Sequence, residues 1–409
     1  MNQATSPDQN IVVVGGGHAA AALCAALANA GQGHRVHLVC AEAVLPYQRP
    51  PLSKTFLKNA DEQSQPHRAD TWYAEAGIRV HQADPAESID RAGKTVTLRS
   101  ATALPYEQLV LATGTRARRL AALPDGLANV ALLRSAEDAA ALRSQLTAGR
   151  RLTVLGGGFI GLEVAMTALG LGLEVEVLEA APRLLSRSIS PELADFVRSH
   201  HQAAGLRLQL GAKVDDYRIE ANHLVQITVD GEPRPVDLML VGIGAEPETA
   251  LAEAAGLEVD NGVLVNARMM TSDPAIYAVG DCARFPQAAS GQRLRLESVQ
   301  NATDQARCAA ANLLGNEQDY TALPWFWSEQ GPLRLQMAGL MPTEGRRFRR
   351  PGAKDDSFSI LHYRGDELVC VESVNAPMDH MMSRKLLEAG KNPPPEQACD
   401  PAVPLKSLL

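Results

Sequence analysis

Leu152-Thr-Val-Leu-Gly-Gly-Gly-Phe-Ile-Gly-Leu-Glu163 decides how the chain is read, because it repeats a pattern first met at Ile11-Val-Val-Val-Gly-Gly-Gly-His-Ala-Ala20. Each copy is an apolar strand that runs into a glycine-rich turn opening a helix. In the second copy Gly156, Gly158 and Gly161 fill the three small positions of a G-x-G-x-x-G turn, and in the first Gly15, Gly17 and Ala20 do so. The first small residue permits the tight turn, the second admits backbone to a pyrophosphate, and the third lets helix pack on strand. The copies are 156 − 15 = 141 residues apart, too far for a solenoid repeat, so they predict two dinucleotide-binding domains in one chain.

Outward from each turn the rest of a mononucleotide unit follows. After the first, an alanine-rich helix over 19–30 would offer its free N–H groups and dipole to a pyrophosphate. The strand 35–39 then leads to Glu42, 42 − 17 = 25 residues past the central glycine, near where a carboxylate accepts a ribose hydroxyl. After the second, the strand 174–178 ends in Glu179, 179 − 158 = 21 residues on, the offset for the adenosine 2′-hydroxyl. A carboxylate there repels a 2′-phosphate and favours NADH over NADPH; Arg183, four residues on, is the alternative phosphate acceptor. Phe159 and Ile160 in the second turn, and Gly242-Ile243-Gly244 where the chain leaves that domain, complete its candidate contacts.

Three further stretches belong with the first copy. Leu109-Val-Leu-Ala-Thr-Gly-Thr115 reads as a buried strand ending in the small turn Ala112, Thr113, Gly114, suited to close backbone approach. Ala275-Ile-Tyr-Ala-Val-Gly-Asp-Cys-Ala283 is another, ending at Asp281, and its place beyond the second copy makes the first domain discontinuous. The helix predicted over 298–314 is preceded by Glu297 and opens with Ser298 and Val299; if one of the two dinucleotides is a flavin, the helix N-terminal dipole would stabilise negative charge on its reduced ring. The boundaries are thus 1–118 and 247–325 for one domain, 119–246 for the second and 326–409 for a small C-terminal α+β domain. The fold class is α/β, two Rossmann-like domains in the glutathione-reductase-like arrangement.

Pro46-Tyr-Gln-Arg-Pro-Pro-Leu-Ser-Lys54 carries three prolines, which fix the backbone and would hold Arg49 and Lys54 near the first nucleotide. Disulfide-using flavoenzymes place a reactive cysteine pair here; this segment has none, so electrons leave the flavin without a protein dithiol. Glu163, in the first turns of the second helix, is either a helix-dipole partner or the counter-charge of Lys54. Tyr320-Thr-Ala-Leu-Pro-Trp-Phe-Trp-Ser328 gathers two of the three tryptophans, and Trp325 or Trp327 could cover the flavin.

Composition limits the alternatives. A net charge of −8 over 409 residues argues against a nucleic-acid partner, although the basic run 346–350 could steer an acidic one. The six cysteines lack metal-ligand spacing and fit a reducing cytoplasm, so no metal site is expected. The polar first ten residues do not read as a signal peptide, and no uncharged run is long enough for a membrane span.

Taken together, these motifs resemble the FAD-dependent NADH:ferredoxin reductases that serve bacterial oxygenases, the putidaredoxin reductase and aromatic-ring dioxygenase reductase group. The most specific part is 46–54, supported by 156–163, 179–185, 278–281 and 324–328, and the likeness covers nearly the whole chain. It implies FAD on the first domain (Gly15, Gly17, Ala20, Glu42, Arg49, Lys54, Ala112, Thr113, Gly114, Asp281, Glu297, Ser298, Val299 and Trp327). It implies NADH on the second (Gly156, Gly158, Phe159, Ile160, Gly161, Glu163, Glu179, Gly242, Ile243 and Gly244). Lys54, Glu163 and Trp327 are implied beside the flavin, with hydride crossing at the seam of the two copies. A [2Fe–2S] ferredoxin is the implied partner and through it a terminal oxygenase, for a cytoplasmic monomer or weak homodimer in aromatic hydrocarbon catabolism. The rivals are an NADH oxidase or peroxidase and an NADH-sensing binding protein resembling apoptosis-inducing factor.

Overall fold

A computed structural model describes residues 9–288 and 291–409; the polar residues 1–8 lie outside the described residues. The chain divides into two compact units. The first comprises Met1–Arg49, Ser64–Arg116 and Ala245–Ala322, the second Pro50–Gln63, Ala117–Gly244 and Leu323–Leu409.

Each unit is built on a five-stranded parallel sheet with the first strand of its glycine motif in the middle. In the first unit the order is Ile276–Ala278, Gln108–Leu111, Ile11–Val14, Val36–Val39, Arg79–His81. The second runs Arg207–Leu210, Glu174–Glu179, Arg151–Leu155, Leu238–Val241, Val130–Ala131. Strands covered on both faces read as continuous apolar runs: all four residues of Ile11–Val14 and of Leu238–Val241 are buried. In the first unit the helices His18–Asn29 and Val299–Leu313 pack on each other, small alanines allowing the approach.

The duplication holds at the level of single hydrogen bonds. The Gly15 amide donates to the Val39 carbonyl at 2.9 Å, and the Gly156 amide to Leu178 at 2.8 Å. Ala112 donates to Val14 and Gly242 to Leu155, each at 2.8 Å. A Cβ on Gly15 would meet the Ala112 carbonyl oxygen at 2.1 Å, and one on Gly156 the Gly242 oxygen at 2.4 Å. With φ of +133° and +107°, both positions demand glycine twice over.

The second unit also carries the antiparallel C-terminal sheet, ordered Trp325–Gln330, Leu333–Gly339, Glu367–Val374, Phe358–Arg364, Arg346–Pro351, with the helix Pro377–Glu388 packed on its middle strands. Buried Glu372 explains why this sheet belongs with the second parallel sheet: one carboxylate oxygen accepts the Ser190 amide at 2.8 Å, at the start of helix Pro191–Ala203, and the other pairs with His362 at 2.8 Å. The basic run 346–350 lies on the strand Arg346–Pro351, with Arg346, Arg347 and Arg349 exposed. Its alternation turns Arg350 inward, where the guanidinium pairs with Asp379 and donates to the carbonyls of Ala398, Asp400 and Val403. Among the described residues no helix is long and apolar enough to cross a membrane.

Candidate functional site

Both glycine turns open helices with unclaimed N-termini. Gly17 and Gly158 are the N-cap residues, no side chain caps either helix, and neither first turn carries an acid. A Cβ at either glycine would meet no described atom within 4 Å, so among the described residues space lies open where backbone donors and the helix dipole point. These two cradles fit the pyrophosphates of two dinucleotides. Gly280 serves the first cradle differently: its Cβ would meet the Ala19 Cβ at 3.1 Å, and its amide donates to Gln305, which seats the Val279-Gly280-Asp281 turn against the first helix.

In the first unit Glu42 accepts the Tyr47 hydroxyl and the Arg49 guanidinium, each at 2.7 Å, and the arginine lies over the Tyr47 ring. Two residues of the proline-rich segment are thereby brought onto Glu42. At the other end of the unit Arg295, which the sequence reading missed, binds Glu297 at 2.7 Å and the Asp281 carbonyl at 3.1 Å. Ser298 caps the helix Val299–Leu313 by accepting the Asn301 amide. Thr113 donates its hydroxyl to the Glu248 carbonyl and so fixes the Ala112-Thr113-Gly114 turn.

In the second unit the Glu179 carboxylate accepts the amides of Gly157 at 2.6 Å and Ala181 at 2.7 Å. Each oxygen retains a lone pair for a ribose hydroxyl. Arg183 spends its guanidinium on the carbonyls of Ile189 and Ser186, which draws it away from the phosphate role. Ile160, half exposed at the helix start, and Phe159, edge-on to Phe326, sit beside the open space at Gly158.

The charged centre of this unit is Lys54 with Glu163. Their N···O distance is 2.6 Å, and the side chains are 16% and 4% exposed, so neither is well solvated. Glu163 also accepts the hydroxyls of Ser53 at 2.5 Å and Ser328 at 2.7 Å. Lys54 uses all three ammonium hydrogens, on Glu163, the Pro50 carbonyl and Ser53, and therefore acts as a fixed charge. The segment that carries it is anchored: Thr167 donates to the Ser53 carbonyl, and Arg143 donates to the carbonyls of Phe56, Asn59 and Glu62 while stacking on Phe56. Along Trp325–Gln330, alternation sends Phe326, Ser328 and Gln330 toward the helices of the parallel sheet. Trp325 and Trp327 stack together on the opposite side, with Arg384 over Trp325.

The family pattern described as pyridine nucleotide-disulphide oxidoreductase matches residues 9–306, and that of the reductase C-terminal domain matches 325–409. The chain belongs to the pyridine nucleotide-disulphide oxidoreductases. Its relatives include ferredoxin reductases of oxygenase systems. It is 39% identical to the ferredoxin–NAD(+) reductase component of the anthranilate 1,2-dioxygenase system of Burkholderia cepacia, covering 97% of this chain and 98% of that one. The crystal structure of the ferredoxin reductase for the CYP199A2 system from Rhodopseudomonas palustris superposes with a TM-score of 0.94, at 40% identity over 98% of this chain and 99% of that one. A covalent putidaredoxin reductase–putidaredoxin complex gives 0.93 at 37% identity, over 98% of each chain. Oxidoreductases of this family use FAD and NAD(H).

Proposed function

We propose that this protein takes hydride from NADH and delivers electrons singly, through FAD, to a [2Fe–2S] ferredoxin that feeds an oxygenase of aromatic hydrocarbon catabolism. The observation that carries the reading is the paired cradle, with Gly17 and Gly158 each leaving an uncapped helix N-terminus beside open space. The relatives named as ferredoxin reductases, one of them solved in complex with its redox partner, support the direction of transfer.

Bound FAD supplies the exchange between a two-electron hydride and single electrons; the chain supplies binding, orientation and charge. Residues 1–118 and 247–325 hold FAD, with Gly15, Gly17 and Ala20 under the pyrophosphate and Glu42 on the ribose. Arg49 keeps that carboxylate in place, and Ala112, Thr113, Gly114, Asp281, Glu297, Ser298 and Val299 line the remainder. Residues 119–246 hold NADH, with Gly156, Gly158, Phe159, Ile160 and Gly161 on the pyrophosphate side, Glu179 on the ribose, and Gly242, Ile243 and Gly244 opposite. Lys54 and Glu163 face the flavin as a held charge pair, and Trp327, from the C-terminal region 326–409, covers it. We assign the protein to the cytoplasm, as a monomer or weak homodimer.

The oxidase and peroxidase reading wants a reactive thiol, and the thiols argue against one. Cys40, beside the first glycine turn, is buried and pushed up to about 12 by that burial, and Cys24 is raised further by the same cause. Steady-state NADH oxidation should be slow with oxygen alone and rise at least about tenfold when a [2Fe–2S] ferredoxin is added. Equal rates with and without ferredoxin would sink the proposal, and a stable NADH complex without ferredoxin reduction would favour the sensing protein.

A further inference from the structure

The Lys54–Glu163 pair is the end of a longer buried chain. Ser328 Oγ has one hydrogen and spends it on Glu163 Oε1, at 2.7 Å. Toward Gln330 the same oxygen can only accept, so Gln330 presents its amide nitrogen to Ser328 at 3.2 Å and its oxygen to His201 Nε2 at 2.7 Å. His201 must then carry its hydrogen on Nε2, leaving Nδ1 bare and buried without a partner among the described residues. Ser328, Gln330 and His201 are each at most 1% exposed. Every donor in the row points toward the carboxylate, and Ser53 and Lys54 close on its other oxygen.

A buried row of this kind is costly where its links are unpaired, and only this orientation of the Gln330 amide pairs Ser328, Gln330 and the His201 Nε2–H in one series. The row draws on four parts of the second unit: the helix Pro191–Ala203, the strand Trp325–Gln330, the one-turn helix Pro50–Ser53 and the helix Phe159–Gly170 that carries Glu163. His201 is held neutral by burial, with its pKa lowered, so across the neutral range its Nε2–H remains a plain donor. His200 is the other titratable group beside it.

We propose that Ser328, Gln330 and His201 are positioning residues that lock the Glu163 carboxylate, and through it the Lys54 ammonium, in one orientation for the redox reaction. This rests on the reading that Lys54 faces the flavin. Without the strand-side donor, the carboxylate is free to turn on the Ser53 and Lys54 bonds and the ammonium loses its fixed direction.

The test uses full-length holoenzyme labelled with 15N-lysine, in which the Lys54 ammonium signal is recognised by its loss in Lys54→Met. In Gln330→Leu and in Ser328→Ala, exchange of the Lys54 ammonium hydrogens with water should quicken by roughly tenfold, and the stopped-flow rate of flavin reduction by NADH should fall by a similar factor. Ser328→Thr keeps the hydroxyl and should restore both. Should Gln330→Leu fail to fold, the Ser328→Ala and Ser328→Thr pair decides alone. Unchanged ammonium exchange in folded variants would overturn the proposal. Faster exchange with an unchanged rate of flavin reduction would uphold the positioning row and instead defeat the placement of Lys54 beside the flavin.

Discussion

A methyl group added at Gly15 would land 2.1 Å from the Ala112 carbonyl oxygen at a φ of +133°, whereas one added at Gly17 meets nothing within 4 Å. Gly17 has φ of −103°, which any residue tolerates. Gly15→Ala should therefore cost about 2–4 kcal/mol of folding stability even without FAD. Gly17→Ala should cost the apo protein no more than about 1 kcal/mol, the loss of a glycine N-cap, while weakening FAD binding roughly tenfold or more, because its methyl occupies the pyrophosphate space. Urea denaturation of the apo proteins and FAD titration separate the two, and equal stability losses would contradict the cradle. Glu179 offers a second residue-level test, since it is the carboxylate proposed for the ribose while its oxygens also hold the Gly157 and Ala181 amides. Glu179→Arg should lower kcat/KM for NADH and raise it for NADPH, each by about tenfold. Glu179→Gln keeps the shape without the charge and should narrow the preference without reversing it; an unmoved NADH:NADPH ratio in both would place Glu179 off the ribose.

At the scale of elements, the strand Arg346–Pro351 stakes much of the C-terminal tail on one side chain. Arg350 is buried, and its guanidinium reaches Asp379 and three tail carbonyls. Arg350→Ala should cost about 3–5 kcal/mol, because it strands a partly buried carboxylate and several acceptors. Arg347→Ala on the same strand, exposed, should cost under about 0.5 kcal/mol. Limited proteolysis of residues 395–409 and urea midpoints measure the contrast. This strand also shows where local sequence signals end. The glycine turns, the sheet-central strands and the Lys54 segment were legible because their meaning lies in short-range spacing and backbone restriction. Ser53, Ser328, Gln330 and His201 were not: Ser328 reaches Glu163 from 165 residues away, and nothing local marks a serine as inward-facing. Arg350 could have been found, since the period-two alternation of Arg346-Arg-Phe-Arg-Arg350 puts it on the same face as Phe348.

For the whole molecule the buried histidines set an acid limit. His37 is lowered to about 4, by burial first and then by Arg79 and His81; His380 is lowered to about 4 by burial and by Arg384 and Arg334. His67, His81 and His201 are lowered as well. Because each folded value lies below the unfolded 6.5, the unfolded chain binds more protons between about 6.5 and 4, and stability falls as pH drops through that window. His37 and His380 each contribute about 3 kcal/mol to this loss. Since His37 lies in the first unit and His380 in the second, both units should weaken together. Urea midpoints at pH 7 and 4.5 measure the loss, and His380→Leu should flatten the slope; a flat profile in the parent protein would contradict the buried neutral state. The duplicated cradle, finally, has a consequence for the ancestry of the two halves. Ala20 sits fully buried at the third small position of the first turn, whereas a methyl at the matching Gly161 would come within 2.4 Å of the Gly156 carbonyl oxygen. The first helix thus stands off its turn far enough to admit a methyl group, and the second does not. A graft of the first loop into the second half would not seat, while the reverse graft would leave a gap.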